Sequence, residues 1–368
     1  MSVPVNEPVI TAEAKKYVAE AMESGWISSA GKYIAQFEEK FAAFLGVKHA
    51  VTTTSGTTAL HLSLASIGIQ AGDEVIVPDF TMIGSVDPIL YLGAKPVFVD
   101  AEIETYNIDV RQIEKKITAK TKAIMPVHIY GHSCDMDPIL AIAKKHSLLV
   151  IEDAAEAHGA TYKGKMCGSM GTVSAFSFYG NKIITTGEGG MVVTDDDAIA
   201  AMARNLKDLA HSPTKRFWHE RVGFNYRMTN LQAACGLGQL EHIEEFLAKK
   251  RWMAAEYAKR LGDVPGLRLP ATKPWAENVY WMYAVLLDND FPLSKDEFRS
   301  RLKDKGVDTR DFFYSVAAQP LVRGVVPHNE WFPVTETLAK HGLYLPSGLA
   351  LTEGQIEYVC NMVKEVLQ

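Results

Sequence analysis

Between about residues 48 and 195, short apolar and β-branched runs alternate with stretches of helical periodicity. Such alternation predicts a sheet with helices packed on its faces. The runs fall near residues 50–54, 74–77, 96–99, 123–127, 148–151, 175–178 and 191–194. Several are apolar throughout, as in Leu148-Leu149-Val150-Ile151, whereas a strand with one wet face would alternate. The expectation is an α/β fold whose mostly parallel, seven-stranded sheet is covered on both sides.

Beyond about residue 246 the pattern changes. A long charged helix is followed by an aromatic strand over 279–287, then by a helix opened by Ser294 with Glu297 three residues later. That spacing predicts a capping box, with Gly306 as the stop; Thr352 and Gln355 repeat the device before the last helix. At 368 residues the chain is long for one core, so a large domain over 1–246 and a smaller α+β domain over 247–368 are expected. No Pro/Gly/Ser linker and no internal repeat marks the join.

Composition narrows the function classes. The chain is 47% hydrophobic and 22% charged, as globular enzymes are. Thirty-eight Lys and Arg against 44 Asp and Glu leave a formal charge of -6 without a basic block, which argues against nucleic acid as a partner. Cys134, Cys167, Cys235 and Cys360 are far apart and form no CxxC pair, so buried thiols are expected rather than a metal centre or a disulfide framework. No apolar stretch approaches membrane-spanning length, and the first ten residues do not resemble a secretion signal. A cytoplasmic protein with no membrane partner is the expectation.

Three segments carry candidate chemistry. Residues 174–190 read Ser-Ala-Phe-Ser-Phe-Tyr-Gly-Asn-Lys-Ile-Ile-Thr-Thr-Gly-Glu-Gly-Gly, a strand ending in a polar turn with one lysine, Lys182. Burial there lowers the pKa of the amine toward the range of a nucleophile, which a Schiff-base lysine requires; an arbitrary lysine is more often solvated. Glu152-Asp153-Ala154-Ala155-Glu156-Ala157-His158-Gly159 follows an apolar strand. A carboxylate at that strand end, Asp153, can keep a pyridine nitrogen protonated, although an isolated cluster of this kind reads more often as a solvated strand end or a metal site. Thr54-Ser55-Gly56-Thr57-Thr58-Ala59-Leu60 makes a strand-to-helix turn whose free amides can point at an anion.

Together these segments resemble the DegT/DnrJ/EryC1/StrS family of sugar aminotransferases. The likeness is carried by Ser177-Phe178-Tyr179-Gly180-Asn181-Lys182 with Thr185-Thr186-Gly187-Glu188-Gly189-Gly190. It extends to Gly25-Trp26-Ile27-Ser28-Ser29, Gly72-Asp73-Glu74-Val75-Ile76-Val77-Pro78, His128-Ile129-Tyr130-Gly131 and Trp281-Met282-Tyr283. The resemblance implies the type I pyridoxal-phosphate aminotransferase fold, with pyridoxal 5'-phosphate as cofactor. By the same resemblance Lys182 forms the Schiff base and shuttles the proton, Asp153 pairs with the ring nitrogen, Glu156 meets the ring hydroxyl, and Ser177 with Ser55, Gly56 and Thr57 holds the phosphate.

Val222-Gly223-Phe224-Asn225-Tyr226-Arg227-Met228-Thr229 resembles the family segment whose asparagine reaches the neighbouring subunit's cofactor, which implies a homodimer with composite sites completed by Asn225. Without that likeness, an Asn-Tyr-Arg triplet before a helix reads as a cap and a salt bridge. The Trp-Ile-Ser-Ser run and the Thr-Thr-Gly-Glu-Gly-Gly tail are similar to the subgroup that makes 4-amino-4,6-dideoxy sugars. The implied reaction takes the amine of L-glutamate, releasing 2-oxoglutarate, and places it on C4 of GDP-4-keto-6-deoxymannose to give GDP-perosamine. Other 4-keto-6-deoxyhexoses on dTDP or UDP, and 3-keto sugars, stay open. So do a non-catalytic regulator and a pyridoxamine-phosphate dehydratase on the same fold, the latter carrying histidine where Lys182 stands.

Trp26, Ser28, His128 and Arg310 are the candidates for substrate contact. Hydrophobic packing of Trp26 and a hydrogen-bonded structural role for His128 or His132 are the plainer alternatives. Two departures from the family pattern concern the substrate side. Met82 stands where an aromatic residue commonly stacks on the cofactor ring; its thioether can pack on a π face. Arg310-Asp311-Phe312-Phe313-Tyr314-Ser315-Val316-Ala317 replaces the usual Arg-Pro followed by a histidine.

Overall fold

The computed structural model describes residues 1–215, 217–322, 324–325 and 330–368. All seven apolar runs become strands of one sheet, in the spatial order His49–Thr53, Gly190–Thr194, Val173–Ser177, Leu149–Asp153, Thr121–Ile124, Glu74–Pro78 and Lys95–Val99. Neighbours from Val173–Ser177 to Lys95–Val99 are parallel, and only Gly190–Thr194 runs against both of its neighbours.

Helices cover both faces, which explains the unbroken apolar runs. Val173, Ala175 and Val192 enter one core with Leu60, Leu62 and Leu64 of the helix Gly56–Ser66. Phe176, Met191 and Val193 point the other way, onto Phe37 and Phe41 of the helix Lys32–Leu45. Each of these Val, Leu, Met and Phe side chains stabilises the fold by about 1.5–3 kcal/mol through burial. Because the parallel strands share one direction, their carboxyl ends open on a common edge, where α/β sheets gather polar groups and ligands.

The C-terminal part holds a four-stranded antiparallel sheet in the order Leu267–Arg268, Tyr283–Leu287, Gly342–Leu345 and Arg310–Asp311. Helices Ile243–Leu261, Lys295–Asp304 and Glu353–Glu365 accompany it. The aromatic strand expected over 279–287 joins the sheet only from Tyr283, since Tyr280 sits at φ 48°, outside extended geometry. Thr352 and Gln355 form both halves of their capping box, and Ser294 accepts from the Glu297 amide. The position 246/247 lies inside the 19-residue helix Ile243–Leu261. At the other end of the chain, Val3 pairs with Val307 and shares a core with Tyr257 and Phe298.

All four cysteines are free thiols. Among the described residues no cluster of His, Cys, Asp and Glu could hold a metal ion, and no helix is long and apolar enough to cross a membrane.

Candidate active site

The carboxyl edge of the large sheet frames a cavity of about 410 Å³. At one end the helix Gly56–Ser66 points its N-terminus inward. Ser55 caps it, its side chain accepting from the Thr58 amide, and Thr58 returns a bond to the Ser55 amide. The first helical amides, those of Gly56 and Thr57, have no carbonyl one turn before them and face the cavity as donors. Ser177, the last residue of its strand, lies directly against Gly56: a Cβ on Gly56 would fall 2.7 Å from that of Ser177. Only glycine lets this hydroxyl and these amides converge on one point, and the convergence suits a phosphate.

Deeper in the cavity are the three titratable groups read from the sequence. Asp153 ends its strand buried; one carboxylate oxygen accepts from the Ser85 hydroxyl at 2.7 Å and the other from the Ala155 amide at 3.1 Å. Burial raises its pKa, and those two bonds together with Lys182 pull the other way. Glu156 is pushed up to about 7 by burial, with Lys182 opposing. Its Oε2 accepts from the amide of Tyr130, a residue held at φ 53°, and its Oε1 stands 3.7 Å from the Lys182 amine. Burial lowers the pKa of that amine and the two carboxylates resist the shift. The arrangement places an amine of lowered pKa beside two acids, in a cavity that also presents a helix N-terminus suited to an anion.

Met82 and Arg310 also line this cavity, and both face a second groove of about 550 Å³ outside it. Met82 is half exposed, and its sulfur accepts from the Gly84 amide at 2.8 Å, which fixes the thioether at the cavity edge. Four further candidates, His128, Trp26, Ser28 and Asn225, do not line the cavity within one chain. His128 is completely buried: its Nδ1 accepts from the Cys134 amide at 3.0 Å, so Nε2 carries the proton and donates to Glu152 at 2.9 Å. It holds the turn behind the strands, and the expected substrate contact is corrected to a structural role. His132 is likewise bonded at both ring nitrogens. Trp26 lines a separate groove with Tyr33 and Asn230, and Ser28 gives its carbonyl to the Asn230 amide; within one chain neither reaches the cavity. Asn225 is exposed beyond the cavity wall, paired by its backbone with Asp208, while Arg227 forms an ion pair with Asp208.

Several cavity residues were missed in the sequence. Ser85 fixes Asp153 and is itself bonded to Thr81. Trp281 donates its indole N–H to the carbonyl of Asn181 and lays its ring against the Lys182 amine. Phe313 and Tyr344 close the cavity from the C-terminal part. Only Trp281 stood in a segment that the resemblance covered.

A phosphate cradle, an acid placed for a ring nitrogen and a desolvated lysine between them fit pyridoxal phosphate. On this sheet they define a pyridoxal-phosphate-dependent aminotransferase of the type I fold. The chain belongs to the DegT/DnrJ/EryC1/StrS aminotransferase family, whose profile matches residues 8–364. It is 46% identical to a GDP-perosamine synthase of Caulobacter vibrioides, over 99% of this chain and 98% of that protein. A GDP-perosamine synthase of Escherichia coli O157:H7 is 44% identical with the same coverage. Among solved structures, that of DesV from S. venezuelae in complex with a ketimine intermediate superposes with a TM-score of 0.91 at 35% identity, covering 98% of this chain and 99% of that one.

Proposed function

We propose that the protein transfers the amino group of L-glutamate to C4 of GDP-4-keto-6-deoxymannose, yielding 2-oxoglutarate and GDP-perosamine. The observation that carries this reading is the near full-length similarity to GDP-perosamine synthases, with the cavity's lysine, acids and phosphate cradle intact.

When bound, pyridoxal phosphate supplies an electron sink that lets the carbon bearing the amine release its proton. In our reading Lys182 attaches the cofactor and carries that proton, its amine kept available by burial. Asp153, oriented by Ser85 and the Ala155 amide, pairs with the ring nitrogen, and Glu156 accepts from the ring hydroxyl. Gly56, Thr57, Ser55 and Ser177 hold the phosphate, Met82 packs on the ring face, and Arg310 meets an anionic group of the substrate at the shared mouth. The exposed Asn225 suits a homodimer in which the partner subunit's Asn225 completes each cradle, and the same assembly could bring Trp26 and Ser28 to a neighbouring site. Residues 1–246 then form the cofactor domain and 247–368 the smaller domain. Four unpaired thiols accord with a cytoplasmic location.

Purified protein incubated with glutamate and a panel of GDP-, dTDP- and UDP-linked 4-keto sugars tests the assignment. Formation of GDP-perosamine with clear preference for the GDP-linked sugar is the expected result, and amination of only a dTDP- or UDP-linked sugar would overturn it.

A further inference from the structure

The segment that departs from the family pattern is held by a residue outside the cofactor site. Asp79 follows the strand Glu74–Pro78 and is completely buried. Its Oδ1 accepts from the Ala317 amide at 2.7 Å, its carbonyl accepts from the Val316 amide, and the Ser315 hydroxyl lies close enough to draw its pKa down. Two consecutive residues, Val316 and Ala317, are thus tied to one aspartate with Ser315 beside them, and its Oδ2 has no partner among the described residues. The tethered loop supplies Phe313, Tyr314 and Gln319 to the outer groove, and Tyr314 is 64% exposed there.

That groove is continuous with the cofactor cavity, because Thr81, Met82, Arg310 and Phe313 face both. A five-carbon amino donor fits beside the cofactor in about 410 Å³, whereas a nucleotide-linked sugar has to extend beyond it. We propose that Asp79 is a positioning residue for acceptor specificity: by fixing Val316 and Ala317 it sets the groove wall that the sugar nucleotide meets, and it takes no part in the half-reaction with glutamate. The inference rests on the function proposed above. Its location also explains how a loop without the family's Arg-Pro signature keeps a defined shape, since the anchor lies in the large sheet and not in the loop.

The carboxyl of Asp79 is pushed up to about 6, chiefly by burial; among the described residues, the charged groups acting on it are Asp100 and Glu336, both of which raise it further. Protonation weakens it as an acceptor for Ala317, so grip on the loop weakens as pH falls through about 6.

The test compares wild type, Asp79→Ala and Asp79→Asn in three measurements. Hydrogen exchange on the cofactor-loaded protein should show faster exchange over residues 312–318 in Asp79→Ala and little change elsewhere. Single-turnover reaction with glutamate should stay within about twofold of wild type, while KM for the sugar nucleotide rises about tenfold or more, the scale of a lost charged anchor. Asp79→Asn keeps an acceptor for Ala317, so it should fall between the two and lack the wild-type rise in acceptor KM below pH about 6. Unchanged exchange in the loop, or equal slowing of both half-reactions, overturns the proposal. Inactivity of wild type toward the GDP-linked sugar counts against the substrate reading alone, and the comparison is then made with whichever acceptor the panel identifies. If Asp79→Ala does not fold, Asp79→Asn alone decides through its acceptor KM and pH profile.

Discussion

The amine of Lys182 stands 3.7 Å from the centre of the Trp281 ring. A ring face stabilises an ammonium by about 0.5–2 kcal/mol, more when water is excluded, so Trp281 partly offsets the burial that lowers this amine's pKa. Trp281→Leu should therefore lower the pKa further. The pH dependence of acylation of Lys182 in the cofactor-free protein reads this directly, and an unshifted profile removes Trp281 from the role.

Borohydride treatment of the loaded protein should fix the cofactor to a single peptide, the one containing Lys182. Lys182→Ala should lose both the fixed label and amino transfer. Label on a different lysine overturns the central assignment.

Asp153→Asn keeps the shape of the side chain and removes its charge. Proton abstraction should slow by roughly two orders of magnitude, equivalent to about 3 kcal/mol. Rapid-mixing measurement of the glutamate half-reaction with cofactor bound checks it; near-normal rates would show that another group holds the ring nitrogen.

Lys250 is fully buried and donates to the main-chain carbonyls of Trp281 and Ser347. Burial lowers its pKa from 10.5 to about 7. Between those two values the folded protein binds fewer protons here than the unfolded chain, so this residue makes stability rise with pH across that window. Lys250→Met lacks the effect. Unfolding temperatures of both proteins should show wild type gaining on the variant from pH about 7 to about 9.5, and a constant gap would contradict the burial argument.

If the partner subunit's Asn225 reaches each phosphate, mixing Lys182→Ala with Asn225→Asp should restore some activity. One of the two sites in a mixed dimer then carries both wild-type residues. The aspartate is preferable to alanine because it sets a charge against the phosphate, whereas a single lost contact weakens binding by only about 1.5–3 kcal/mol. No rescue in a verified mixed dimer would place Asn225 away from the neighbouring cofactor.

Residues that interrupt a buried apolar run were legible in the sequence. Asp153 and Ser177 terminate strands whose apolar neighbours face two cores, and Lys182 follows in the next turn, so their chemistry stood out from their surroundings. Ser85 did not: nothing in the pattern ties it to an aspartate 68 positions away. Phe313 and Tyr344 reach the cavity only through packing of the C-terminal part, which periodicity does not encode. His128 was misread for a related reason. It sits in an irregular turn after the strand Thr121–Ile124, where no alternation distinguishes a side chain facing the cavity from one facing the interior.

The reversed strand Gly190–Thr194 also bears on how the chain assembles. His49–Thr53 has it as its one sheet neighbour among the described residues, with His49 opposite Thr194 and Thr53 opposite Gly190. Gly190 packs so closely on the Ser55 carbonyl that a Cβ there would lie 2.1 Å from the oxygen. During synthesis, the segment that will present Gly56 and Thr57 is therefore finished long before the strand that seats it exists. Such a distant pairing closes late because the loop entropy must be overcome first. A nascent chain that ends before Gly190 already contains Lys182, Asp153 and Ser177, yet it has no seat for the Gly56 turn; a grip on phosphate would mark the moment at which the large sheet is complete.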